Sequence, residues 1–99
     1  MRKENDEMIK HIVIWKLKDK EQALEMKKRL EALPHKIKEI QSLEVGINIL
    51  PVNDYDIALT VTFNNLDDLN TYQNHPDHLQ VFAFVKQVAE KRVAVDYEF

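Results

Sequence analysis

The spacing of apolar residues along this chain switches between two residues and three-to-four, and the order of those switches constrains the fold most. Met8–Leu17 alternates: Ile9, His11, Val13, Trp15 and Leu17 take one side, and Met8, Ile12 and Ile14 take the other beside Lys10 and Lys16. Both sides are largely apolar, so both require cover. From Asp19 the step lengthens, and Ala23, Met26, Leu30, Leu33, Ile37 and Ile40 mark one face of a helix. Asp19 is its expected N-cap, with Gln22 three residues on. Pro34 predicts a break near Leu33 and a second short helix carrying the proline in its first turn. Ser42–Leu50 reads as a strand ending at the turn "PVND". Tyr55–Phe63 is the cleanest strand, with Tyr55, Ile57, Leu59, Val61 and Phe63 on one face and Asp56, Ala58, Thr60 and Thr62 on the other. The short connection pairs these two strands as a hairpin. A second helical region follows, capped by Asn64 or Asn65. Its inward stripe is Leu66, Leu69 and Tyr72, continued after Pro76 by Leu79, Phe82, Val85 and Val88 or Ala89. Arg92–Phe99 closes the chain as a strand, Val93, Val95 and Tyr97 alternating against Ala94, Asp96 and Glu98. The order is β-α-β-β-α-β: an α+β, ferredoxin-like arrangement with helices on one face of a four-stranded antiparallel sheet.

The other face of that sheet carries Ile12, Ile14, Ala58, Thr60 and Thr62 and is too apolar to leave in water. A second copy, sheet against sheet, would cover it, so a two-fold homodimer is expected. A chain of 99 residues makes one domain and buries roughly 60–70% of its unfolded surface, so dimerisation would enlarge a small core. Residues 8–99 are read as the domain and Met1–Glu7 as a loose polar tail. The net charge of −3 and the lack of a basic patch argue against nucleic acid as a partner. No apolar run predicts a membrane span or a leader. There is no cysteine, which removes disulfides and thiolate chemistry and fits the cytoplasm.

The stretch "YQNHPDHLQ" at Tyr72–Gln80 concentrates the chemistry. Histidine takes and gives protons near neutral pH, and tyrosine donates to a developing oxyanion. Six residues separate Tyr72 from His78, which a straight helix would not align; a kink at Pro76 would. A cavity walled by Val13, Trp15, Leu59, Phe63 and Phe82, with Tyr72, His78 and His11 as its polar groups, has the make-up of a small-molecule site. Two other readings stand beside it. His75 and Asp77 can simply end one helix and start the next, with His78 holding the junction through a backbone carbonyl. Alternatively, His75, Asp77 and His78 form a metal clip, although His-x-x-His on one element lacks the ligands from elsewhere that such sites use. No metal or cofactor is assigned. His35 reads as surface and Trp15 as core.

"IKHIVIWKLKD" at Ile9–Asp19, "YDIALTVTF", "YQNHPDH" and the closing "VDYEF" together resemble the stress-responsive A/B barrel (Dabb) domain family, over about Met8 to Phe99. The most specific pieces are KH-x-V-x-x-K at Lys10–Lys16 and HP-x-H at His75–His78. The resemblance implies a dimeric α+β barrel of ferredoxin-like subunits and a small stress-associated protein. One similar branch, that of the plant olivetolic acid cyclase, is enzymatic and works without cofactor. Its acid/base pair matches Tyr72 and His78, and a pocket histidine matches His11. The bulky aromatics of that pocket's first helix are absent around Ala23 and Met26, and its glycines after HP-x-H are replaced by Gln80 and Phe82. Its polyketide substrate is therefore not transferred.

Two functions of different class fit these residues. One is a homodimer that binds a small hydrophobic molecule, with lyase or cyclase chemistry using His78 as base and Tyr72 as donor. The other is a structural or interaction protein with a vestigial pocket. An open cavity reaching His78 favours the first; a cavity filled by Trp15, Met26 and Phe82 favours the second.

Overall fold

The computed structural model describes residues 8–99. Met1–Glu7, read above as a tail, lie outside the described residues. The elements are β1 (Ile9–Leu17), α1 (Ala23–Glu31), β2 (Ser42–Ile47), β3 (Ile57–Phe63), α2 (Leu66–Asn74), α3 (Pro76–Val88) and β4 (Ala89–Glu98). The sheet order is β2-β3-β1-β4, with every neighbouring pair antiparallel. This is the expected ferredoxin-like topology.

Strand β1 is the spine. His11, Val13 and Trp15 point to the helices and are buried in strict alternation with partly exposed neighbours. Its partners bring Val61, Leu59 and Ile57 from β3 onto the same face. Met26, Leu30, Leu33 and Ile37 cover that face from one helical layer, and Leu69, Tyr72 and Val85 from the other. Residue 19 caps as anticipated: the Asp19 carboxylate accepts from the Glu21 N–H at 2.9 Å and opens a short 3-10 turn before α1. Pro34 sits in a single 3-10 turn, Leu33–His35, rather than at the start of an α-helix.

Four local expectations are corrected. The strand expected to reach Leu50 stops at Ile47, because the Asn48 amide bonds the Leu50 carbonyl and the Asn53 side chain, both at 2.8 Å, and turns the chain. Leu66, expected to point inward, is 62% exposed. It occupies the first turn of α2, at the rim where β3 has just ended. The second helical region is two helices, not one kinked helix, because His75 adopts an extended backbone, as the residue before a proline prefers.

The fourth correction concerns Asp56, which was assigned to the half-polar open face and is buried. Its N–H donates to the Trp15 carbonyl at 2.8 Å, and its carboxylate accepts the Leu17 N–H at 2.7 Å. The side chain thus completes the β1 ladder at the point where the β1–β4 register shifts. Asp56→Ala strands a buried N–H and is expected to lower unfolding stability by about 1–3 kcal/mol. Urea denaturation would show this as a lower midpoint at unchanged slope.

The sheet face away from the helices is open. Ile12 lies between Thr60 and Val95, and Ile14 between Ala58 and Val93. Val93, Val95 and Tyr97 are among the exposed large hydrophobics.

Candidate active site

The site is built at the α2–α3 junction. Asn65 caps α2 by accepting the Asp68 N–H at 2.8 Å, which sets the rotation that buries Leu69 and Tyr72. At the far end His75 Nδ1 accepts the Asp77 N–H at 3.1 Å and caps α3, with Pro76 in its first turn. The chain therefore restarts its helical rotation after Tyr72. This restart brings His78 beside Tyr72 despite six intervening steps, with ring centroids 4.4 Å apart.

His78 Nδ1 lies 3.2 Å from the Gln73 carbonyl. A carbonyl only accepts, so Nδ1 carries the proton and Nε2 keeps its lone pair. The contact that holds the junction thus engages one nitrogen of the ring and leaves the other uncommitted. Burial lowers the pKa of His78 below its ordinary value, and the nearby positive charges act in the same direction; the Gln73 hydrogen bond opposes them. The ring is neutral at pH 7 and available as a base.

Tyr72 is fully buried, 5.1 Å from the Phe63 ring and edge-on to His11 at 6.1 Å. Burial pushes its phenol pKa up, and the Arg92 charge opposes this only in part. The hydroxyl stays protonated and is a donor. It has no hydrogen-bond partner among the described residues, and neither has the buried Trp15 Nε1. Buried polar groups are nearly always satisfied, so these two donors are exceptions among the described residues. On the β1 side, His11 Nδ1 bonds the Asp96 carboxylate of β4, its direct partner across the ladder. The carboxylate accepts from Nδ1–H and fixes the orientation of the ring.

These side chains line one cavity of about 220 Å³. Of the residues singled out from sequence, His11, Val13, Trp15, Leu59, Tyr72, His78 and Phe82 lie on its wall. Phe63 does not; it is buried against Tyr72. Leu79 and Phe82, assigned to the inward stripe, are partly exposed, Phe82 at 43%. Sequence reasoning missed Asp96 and Arg92. The alternation of the last strand placed Asp96 opposite Val95, and the β1–β4 register, had it been known, would have set it against His11. Among the described residues no group of three or more His, Asp or Glu side chains is placed to hold a metal.

The lowered pKa of His78 has a consequence for stability. The unfolded chain takes up the proton first, near 6.5, so stability is full above that value and declines as the pH falls through it toward the lower folded value. The expected result is a His78 ring that titrates below the ordinary histidine value by NMR, and a shallower acid-side loss of stability in His78→Gln. A His78 titration at or above 6.5 would contradict the burial argument.

The model of a family described as the stress responsive A/B barrel domain matches residues 9–99. No curated protein matches the chain. Among solved structures, a dimeric ferredoxin-like protein of unknown function from Bacteroides fragilis is 41% identical, with 93% of this chain and 96% of that chain covered and a TM-score of 0.86. A Dabb family protein with a ferredoxin-like fold from Mesorhizobium loti is 31% identical, with 92% and 95% covered and a TM-score of 0.69. A hydroxynitrile lyase from Passiflora edulis is 20% identical, with 95% and 94% covered and a TM-score of 0.84; at that identity the likeness is one of fold.

Proposed function

The chain belongs to the stress responsive A/B barrel domain (Dabb) family, and from that premise we propose that it is a homodimer that binds a small, largely apolar molecule and moves a proton on it without a cofactor. The observation that carries this reading is the pair of buried donors without partners among the described residues, Tyr72 O–H and Trp15 Nε1–H. Both residues line a cavity that also holds His78 with its basic nitrogen uncommitted.

The chemistry follows from these atoms. His78 Nε2 removes a proton from the carbon next to a carbonyl. The electron pair moves onto the carbonyl oxygen, and Tyr72 stabilises the resulting oxyanion by donating its hydroxyl proton in a hydrogen bond. Returning the proton, or joining the carbanion to an electrophile, gives exchange or aldol-type bond formation; the reverse gives bond cleavage. General-base action of this kind contributes about 10²–10⁴-fold. The Passiflora protein supports the reading only in that a lyase shares this fold.

The competing structural role required Trp15, Met26 and Phe82 to fill the pocket. Met26 is fully buried under α1 and is not part of the cavity wall, and space remains beside His78. A direct test is deuterium uptake in D₂O at the carbon next to the carbonyl of small aryl ketones, followed by NMR. Uptake above the buffer rate supports the proposal; a rate equal to buffer across the ketones removes it.

The dimer rests on the open sheet face and on relatives described as dimeric. A shallow groove of about 580 Å³, lined in part by Ile14, Val52, Ala58 and Val93, adjoins that face and would be covered by the second copy. No helix among the described residues is long and apolar enough to cross a membrane, and a cytoplasmic location is proposed from the lack of cysteine. The association with stress rests on the family's name.

A further inference from the structure

We infer that the ligand of this cavity carries a carboxylate, held at the wall by Arg92 together with the indole N–H of Trp15. The inference rests on the small-molecule reading above and names the class of molecule. Arg92 and Trp15 are direct partners across the β1–β4 ladder, so their side chains leave the same face of the sheet as neighbours. Both line the cavity. Among the described residues Trp15 Nε1 is buried without a hydrogen-bond partner, and Arg92 forms no ion pair.

The polar inventory of the wall is lopsided. Arg92, Trp15 and Tyr72 only donate, given that the phenol stays protonated. The Nδ1 atoms of His11 and His78 are already engaged. No Asp or Glu side chain lies on the wall, and the nearest carboxylate, Asp96, is bonded to His11. The Gln73 amide and His78 Nε2 can accept, so the one-sided feature of the wall is its charge: a guanidinium with no carboxylate beside it selects a ligand that carries negative charge. Arginine binds carboxylates through two parallel N–H···O bonds, or shares one oxygen with a neighbouring donor. Burial pushes the Tyr72 phenol up and the Arg92 charge pulls it partly back, so the guanidinium is felt at the reacting end as well.

Size narrows the class further. An apolar cavity of about 150 Å³ accepts benzene, so about 220 Å³ takes a single ring with a short substituent. Val13, Leu59 and Val85 face the ring. With the carboxylate at Arg92 and a ketone oxygen at Tyr72, the favoured ligand is a small aromatic or alicyclic oxo acid.

The test compares benzoate with benzamide, which share a shape and differ in charge. Both are titrated at a fixed pH above 7, where His78 is neutral, into wild type and Arg92→Gln, reading the Trp15 indole N–H and the His78 ring by NMR. Arg92 is exposed, so the variant keeps its core. In wild type, benzoate is expected to bind at least about tenfold tighter than benzamide and to shift the indole N–H; Arg92→Gln removes the preference. Equal binding of both probes to wild type overturns the carboxylate assignment while leaving the cavity a binding site. A benzoate preference that survives in Arg92→Gln overturns the role of Arg92. If neither probe moves Trp15 or His78, the carboxylate assignment falls; ketone exchange then decides whether the proton-transfer reading falls with it.

Discussion

His78→Ala is expected to slow α-proton exchange by about 10²–10⁴-fold while the protein stays folded and dimeric. In the proposed reaction the ring has two tasks, one at each nitrogen, and alanine removes both. His78→Gln separates them. The glutamine amide can donate to the Gln73 carbonyl as Nδ1–H does, but it cannot take a proton. The expected pattern is native-like thermal stability in His78→Gln with exchange as slow as in His78→Ala. If His78→Gln instead exchanges at the wild-type rate, the histidine serves the helix junction and the base lies elsewhere, with His11 Nε2 the next group to test. Tyr72→Phe leaves the base intact and removes the oxyanion donor, and a loss of about 10²–10³-fold is expected. Loss in both variants, read on the same ketone, would tie the adjacent rings to one transition state.

Ile12→Asp is expected to convert the protein to a monomer. Ile12 sits at the middle of the open sheet face, flanked across the ladders by Thr60 and Val95. A carboxylate there costs little in the single chain, where the position is half-exposed. In a sheet-on-sheet dimer it is buried against an apolar face. An uncompensated buried charge costs about 3–5 kcal/mol, enough to weaken association by at least about 100-fold. Light scattering at fixed concentration should show half the wild-type mass, with the far-UV circular dichroism unchanged. A variant that stays dimeric would place the interface elsewhere and leave the apolar face of Val93, Val95 and Tyr97 without its proposed cover.

Much of this molecule was readable from local pattern. The alternation of Ile9, His11, Val13 and Trp15, the longer step of Ala23, Met26 and Leu30, and the prolines at 34 and 76 specify the order of strands and helices. These signals depend only on backbone geometry a few residues long. The same logic paired Tyr72 with His78, because a proline break was the one way to bring them together. It overreached at Leu66, where a correct helical phase met no layer beneath it. It also misplaced Asp56, whose role is to satisfy an N–H on a strand 39 positions away.

The rest of the site lay beyond any local pattern. His11 and Asp96 stand 85 positions apart, and Arg92 meets Trp15 only because β4 pairs with β1 in one particular register. A shift of one residue would send both side chains to the opposite face. By itself the sequence determined which elements form, in what order, and which stretch carries titratable groups, since those follow from short-range periodicity and capping. Only the tertiary structure decided that a carboxylate orients His11, that the Tyr72 hydroxyl and the Trp15 indole N–H are buried without partners among the described residues, and that Arg92 lies on the cavity wall. Strand register and burial are properties of the assembled sheet, set by contacts between segments that no window along the chain contains.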